Sequence, residues 1–137
     1  MLEIKPIQTK EEQKEICELC GIEFDSDCLA YSAIENGKLL GVSQFRIFGK
    51  YAVIYNLVNA INVDDLEALI IMGKAALNFI DSCGIDNVIM KCKGENCAVM
   101  KKLLQILEFE KDADGIYKVK LRGYFESPCE KIKNKRE

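Results

Sequence analysis

Cysteines and a cluster of carboxylates are the side chains in this sequence most able to do chemistry, and histidine is missing altogether. Seven cysteines occur, and two of them, Cys17 and Cys20, form a Cys-x-x-Cys pair. A zinc site built on that pair needs a second close pair or an imidazole. The other five, Cys28, Cys83, Cys92, Cys97 and Cys129, are scattered, and the histidine count is zero. Ser-His-Asp catalysis, Cys-His catalysis and histidine-ligated metals are therefore excluded. An odd number of thiols without a secretion signal also argues against a disulfide framework. The expectation is reduced thiols, packed as small apolar groups where the pattern is helical, and no metal site.

The other polar groups of interest lie in and just after one apolar run. Ala52 to Val58 is broken only by Tyr55 and Asn56, and Asn59 follows. Burying an amide without partners costs roughly a few kcal/mol. Asn56 and Asn59 therefore either line a polar cleft or bond the local backbone at a bulge near the strand end. Tyr55, and Tyr31 before it, read as half-buried sheet residues. Asp64, Asp65 and Glu67 then crowd a helix start. Unpaired backbone N–H groups make such a position an anion site, and here the chain supplies its own anions. Cys92 is the one cysteine placed near the expected cleft, with no histidine or evident cation to lower its pKa.

The elements that must position these groups follow from periodicity. Leu2–Ile7 alternates as a first strand ending near Pro6, and Thr9 with Glu12 has the form of a capping box. The helix it opens has Ile16, Leu19 and Cys20 on one face, ends at Gly21, and leads into the acidic, turn-like stretch 22–27. Leu29–Glu35 and Lys38–Phe48 flank Asn36-Gly37, a strong hairpin signal. Gly49-Lys50 makes a second tight connection into the run to Val58, so three strands form an antiparallel meander. Leu66–Ile80 is rich in Ala, Leu and Met and reads as a helix stopped by Gly84. A fifth strand, Asn87–Cys92, then lies parallel to the fourth. Asn96–Phe109 is the last helix, with Val99, Leu103, Ile106 and Leu107 inward. Asp114-Gly115 turns into a final strand, Ile116–Leu121.

The chain has 137 residues, 49% hydrophobic and 30% charged, which suits one globular domain over 1–125 with a polar tail at 126–137. A net charge of −3 implies no nucleic-acid surface. No apolar run reaches membrane-spanning length, and MLEIKPIQTK lacks the order of a signal peptide, so a cytoplasmic location and no membrane partner are expected.

The order strand, helix, three-strand meander, helix, strand, helix, strand resembles the GNAT superfamily of acyl-CoA-dependent N-acyltransferases over most of residues 2–125. Glu35-Asn36-Gly37-Lys38-Leu39-Leu40-Gly41 is similar to that family's hairpin. Asn96 to Phe109, NCAVMKKLLQILEF, is similar to its last helix. The resemblance implies an α/β (α+β) single-domain GNAT-like mixed sheet of about six strands with three helices. It also implies a Gly-rich, cation-bearing loop for the acyl-CoA pyrophosphate near Asp64–Leu69, where this chain has Asp-Asp-Leu-Glu-Ala-Leu. The family's leaving-group tyrosine falls on Leu104 and the glycine of its Leu-Gly-Phe ending on Glu108. Asn96 stands where the family contacts the pantetheine arm, and it equally suits an N-cap.

Glycines let backbone N–H groups approach phosphate, and carboxylates repel it by about 1 kcal/mol per charge pair even in water. The implied function is thus a divergent GNAT-fold protein without standard acetyl-CoA-dependent catalysis, a small-molecule or protein-interaction module. The alternative is an atypical acyl-CoA-dependent N-acetyltransferase, and acetyl-CoA is a cofactor only under that alternative. The cleft-lining candidates are Tyr55, Asn56, Asn59 and Cys92, with Asn96 the cofactor-binding candidate. A homodimer is also expected. Leu66, Leu69, Ile70, Gly73 and Leu77 make one stripe on the long helix, while Ile71, Met72, Ala75 and Phe79 fall outside it and need cover.

If the thiols are all reduced, protein prepared anaerobically and denatured without reductant titrates seven thiols per molecule. Metal analysis of the same material finds no stoichiometric zinc. One zinc per molecule that survives a chelator would overturn this reading of Cys17 and Cys20.

Overall fold

The structure, a computed structural model, describes residues 1–91 and 98–125. Seven strands and three helices are formed: β1 Leu2–Pro6, α1 Lys10–Leu19, β2 Leu29–Glu35, β3 Lys38–Phe48, β4 Tyr51–Asn59 and α2 Leu66–Ser82, followed by β5 Asn87–Met90, α3 Ala98–Ile106, β6 Glu110–Lys111 and β7 Tyr117–Lys120. They make one mixed sheet of order β1-β2-β3-β4-β5-β7-β6. The α2 crossover makes β4 and β5 parallel, and every other pair is antiparallel. The seventh strand is β6, an edge strand of two residues, too short to register as a pattern.

Turn chemistry sets the meander. Asn36 and Gly37 both take positive φ, 51° and 79°, as a tight hairpin between β2 and β3 demands. Thr9 Oγ1 accepts from Glu12 N at 3.1 Å to start α1. No helix among the described residues is long and apolar enough to cross a membrane.

The sheet carries α1 on one face and α2 with α3 on the other. Ile16 of α1 and the C-cap residue Cys20 pack with Val42 and Ala60. The larger core joins Ile54 and Leu57 to Met72, Ala76, Leu77 and Ile80 of α2 and to Leu103, Leu104 and Leu107. Three expected core positions are instead exposed. Leu19 on α1 gives way to Cys17 and Gln13, and Val99 and Ile106 on α3 give way to Met100 and Leu104. In each case the helix is rotated slightly from the expected stripe, because its neighbours and not its own pattern choose the buried face.

The apolar surplus on α2 finds cover within the same molecule. Met72 is fully buried, and the Phe79 ring lies 5.9 Å from Phe45 and 6.4 Å from Tyr31. Of the four surplus residues only Ile71 is exposed. The packing reason for self-association is correspondingly reduced to one residue.

One irregularity governs the sheet. Gln44 pairs with Asn56 but Phe45 pairs with Ile54, so Tyr55 is an extra residue in β4. The bulge shifts the side-chain alternation by one. Ile54 and Leu57 therefore both face the α2 core, while Tyr55 and Asn56 are both turned from it. It also ends the pairing with β5, whose register runs from Tyr51 to Ile54.

Two substitutions in β3 test this packing in opposite directions. A Cβ at Gly41 would run into the carbonyl oxygen of Val58, a backbone atom that cannot swing aside. Gly41→Ala is expected to destabilise by about 2 kcal/mol or more. Ser43 is fully buried, and its hydroxyl has no hydrogen-bond partner among the described residues. Ser43→Ala removes that unpaired group and is expected to stabilise by about 1 kcal/mol. Urea unfolding of the two variants beside the wild type measures both.

Candidate functional site

Where β4 leaves β5, the sheet opens into a cavity of about 500 Å³ on the α1 face. Its floor is the bulge, with Tyr55, Asn56 and Val58, together with Gln44 from β3. Its outer wall is the α1–β2 connection, Gly21 to Ser26, and Lys91 just after β5 completes the lining.

That wall is held chiefly by one glutamine, with a second beside it. Gln44, 1% exposed, uses its whole amide. Its Oε1 accepts from Asp25 N at 3.1 Å and from Gln13 Nε2 at 2.8 Å. Its Nε2 donates to the Glu23 carbonyl at 2.9 Å and to Asn56 Oδ1 at 2.8 Å. The contacts to the Glu23 carbonyl and the Asp25 N–H are those a neighbouring strand would make. Gln13 Nε2 also donates to the Asp25 carbonyl at 3.2 Å, and Gln13 Oε1 accepts from Lys10 Nζ at 3.1 Å. The lysine donates again to the Cys28 carbonyl at 2.6 Å. The two glutamines and the lysine of this network all have partners, so it fixes the wall instead of straining it.

The sequence-derived candidates separate cleanly. Tyr55 and Asn56 line the cavity side by side. Asn59 does not line it. Its Nδ2 donates to the carbonyls of Leu40 and Asp65 at 3.1 and 3.2 Å, and its Oδ1 accepts from Asp65 N at 3.2 Å. It clamps the β4–α2 loop, which is the local-backbone alternative. Cys92 and Asn96 lie outside the described residues, as does the 126–137 tail.

Gln13, Gln44, Lys91 and the 21–26 wall were not among the sequence candidates. Gln44 carries the same signal as Asn56, an amide inside an apolar run, and stands opposite it across the β3–β4 pair. The wall has no such signal, because its role comes from backbone groups.

The anion site expected at the start of α2 is already filled. Asp65 is the N-cap, and its Oδ1 accepts from Ala68 N at 3.0 Å. Asn59 holds Asp65 in place from behind, while Asp64 and Glu67 remain at the surface beside it. The pyrophosphate of an acyl-CoA would need those N–H groups and close backbone approach. It would meet a bound carboxylate and side chains instead, so these residues do not fit that group. Leu104, at the family's tyrosine position, is buried in the core and has no proton to give. Glu108, at the glycine position, still takes the left-handed φ of 66°. The turn after α3 has kept its backbone shape without the residue that suits it.

Burial raises the Tyr55 phenol above its ordinary pKa. Cys28, Asp25 and Tyr51 add to the rise and Arg46 opposes it. The hydroxyl is therefore a proton-bearing donor and no base at neutral pH. Among the described residues, no group of three or more His, Cys, Asp or Glu side chains could hold a metal. Cys17, Cys20 and Cys28 are buried and free, whereas Cys83 is exposed.

No protein-family model matches the sequence, and no curated protein matches it. Solved structures do. The protein is similar to the ribosomal-protein-S18-alanine N-acetyltransferase from Escherichia coli, with a TM-score of 0.68 and 13% identity over 88% of this chain and 94% of that one. It is similar to the PaiA N-acetyltransferase from Thermoplasma acidophilum, solved in complex with coenzyme A, with a TM-score of 0.65 and 14% identity over 88% and 99%. A putative acetyltransferase of the GNAT family from Desulfovibrio desulfuricans gives a TM-score of 0.62 and 8% identity over 88% and 96%. The protein has the GNAT fold.

The buried thiols make stability depend on alkaline pH. Burial lifts Cys17 to about 11 and Cys20 to about 12, and burial with the Asp25 carboxylate beside it lifts Cys28 to about 12. In the unfolded state these thiols ionise near the ordinary value of 9.0, while the folded ones still hold their protons. Between these values the folded state binds more protons, so stability falls as pH rises. A loss of roughly 1 kcal/mol per thiol between pH 8 and 10 is expected. Urea midpoints across that range measure it, and Cys28→Ala should remove about a third of the slope.

Proposed function

We propose that this protein is a small-molecule-binding module built on the GNAT fold, and that acetyl-CoA is not its ligand through the usual pyrophosphate site. The observation that carries this reading is the Asp65 cap. The Ala68 N–H at the start of α2, which would meet a phosphate, is bonded to the protein's own Asp65 carboxylate, and Asn59 holds the backbone of Asp65 through its N–H and carbonyl. The cavity at the β4 bulge offers the ligand site, since about 500 Å³ suits a small molecule. Its polar floor is rigid before any ligand arrives, which lowers the ordering cost of binding.

A second reading, an atypical N-acetyltransferase, draws support from one feature. Strand β4 parts from β5 after Ile54, directly beside the cavity, and the similar solved structures are acetyltransferases. It needs a donor site other than the α2 N-terminus and an acid other than the residue at 104.

Titration calorimetry with acetyl-CoA distinguishes them. The wild type is expected to bind more weakly than about 1 mM, and binding near about 1 μM would restore the enzyme reading. Asp65→Asn removes the charge and keeps a cap, whereas Asp65→Gly empties the position. If occupancy of the N–H group is what blocks phosphate, the glycine variant gains more affinity than the asparagine variant.

A further inference from the structure

Backbone groups fix the direction of every amide in the cavity floor, and with it what the floor offers a ligand. A backbone N–H can only donate and a backbone carbonyl can only accept. Gln44 receives the N–H of Asp25, so that arm is its oxygen, and it faces the carbonyl of Glu23, so the other arm is its nitrogen. That nitrogen must also donate to Asn56, which therefore presents its oxygen to Gln44. The remaining arm of Asn56 is the NH₂ group. It has no hydrogen-bond partner among the described residues and belongs to a half-buried residue on the cavity wall. Tyr55 and Lys91 also line the cavity and carry two further donors, a phenol and an ammonium group.

Two carboxylates also border the cavity, and both are turned to other work or to solvent. Asp25 Oδ1 accepts from Asp27 N at 2.9 Å, and the Asp25 carboxyl hydrogen-bonds the Cys28 thiol. Glu23 is exposed. Arg46 pairs with Asp27 at 3.7 Å, which offsets the third carboxylate of this loop.

We propose that the cavity takes a small molecule bearing a carboxylate, whose oxygens accept from the Asn56 amide, the Tyr55 hydroxyl and the Lys91 ammonium group. This rests on the reading of the cavity as a small-molecule site, and it names the chemical class of the ligand. A carboxylate accepts only, so it can satisfy all three of these donors. An ammonium group carries donors alone and could pair only with the Tyr55 oxygen, leaving the Asn56 and Lys91 donors without an acceptor.

Hexanoate and hexylamine are matched probes that differ in the charged group. Titrated into the full-length protein labelled with ¹⁵N, hexanoate is expected to move the side-chain NH₂ signals of Asn56 and to bind about ten-fold more tightly than hexylamine. Asn56→Asp keeps the acceptor that Gln44 uses and replaces the NH₂ group with an oxygen. It should weaken hexanoate by about ten-fold or more and bring hexylamine level or ahead. Lys91→Gln, at an exposed site where folding is not at stake, should weaken hexanoate several-fold and serves if the first variant does not fold.

Preference of the wild type for hexylamine, hexanoate binding unchanged in both variants, or no response to either probe would each overturn the proposal. These outcomes are separable from the acetyl-CoA titration. Tight acetyl-CoA binding with the hexanoate preference intact would sink the module reading and leave the carboxylate site standing.

Discussion

The extra residue in β4 is the constraint on which the rest of the molecule depends. A regular strand would place Ile54 and Asn56 on the same face and put either an amide into the α2 core or an isoleucine into the cavity. Because Tyr55 is bulged, Ile54 and Leu57 share the apolar face, and Tyr55 and Asn56 share the polar one. The same residue ends the ladder to β5, so the place where polar groups emerge is also the place where the sheet parts. One insertion in register thus makes a continuous core and an opening in it. Close packing at this point is tight. Gly73 of α2 lies against Leu57 and Leu107, with no room for a Cβ unless those side chains move.

An opening in a sheet exposes backbone groups that want partners, and the α1–β2 connection is a stretch of backbone with no strand pairing of its own. Gln44 answers for it. Its amide meets the carbonyl and N–H of residues 23 and 25 as a strand would, and its two remaining bonds go to Gln13 and Asn56. A buried amide left half satisfied would cost about 1–3 kcal/mol, so burying Gln44 is worthwhile only because both arms of its amide are fully bonded. The result is a wall that belongs mechanically to the sheet although it forms no ladder with it.

How far this was legible in the sequence depends on the range of the interaction involved. The Asn36-Gly37 hairpin, the Thr9 cap and the parallel β5 follow from local turn chemistry and from the strand–helix–strand order. The exposure of Leu19, Val99 and Ile106 does not, since a helix with apolar residues on several sides can turn either way and its neighbours decide. Asn56 and Asn59 carry the same local signal, an amide at an apolar strand's end, yet one faces the cavity and the other clamps a loop. Three residues apart in one register, they fall on opposite faces by strand alternation, but which of them shares the face opposite Ile54 is decided by the bulge at Tyr55, set by how β4 pairs with β3. The strand β6 has two residues and no pattern to read.

The electrostatics of β4 differ between its end and its bulge. At the far end of the strand, the Asp65 carboxylate caps the start of α2 by accepting from the Ala68 N–H, and Asn59 holds the Asp65 backbone. At the bulge, the run of amides through Gln44 ends in the Asn56 NH₂ group, which has no partner among the described residues. The fold has a fixed supply of backbone donors and acceptors, and side chains decide which are consumed internally and which reach a ligand. In this protein the Ala68 N–H at the start of α2 is used internally, whereas the bulge faces the cavity. Likeness of fold does not give the polarity of the cavity floor, which has to be read from Gln44 and Asn56, and it is a polarity that calls for an acceptor.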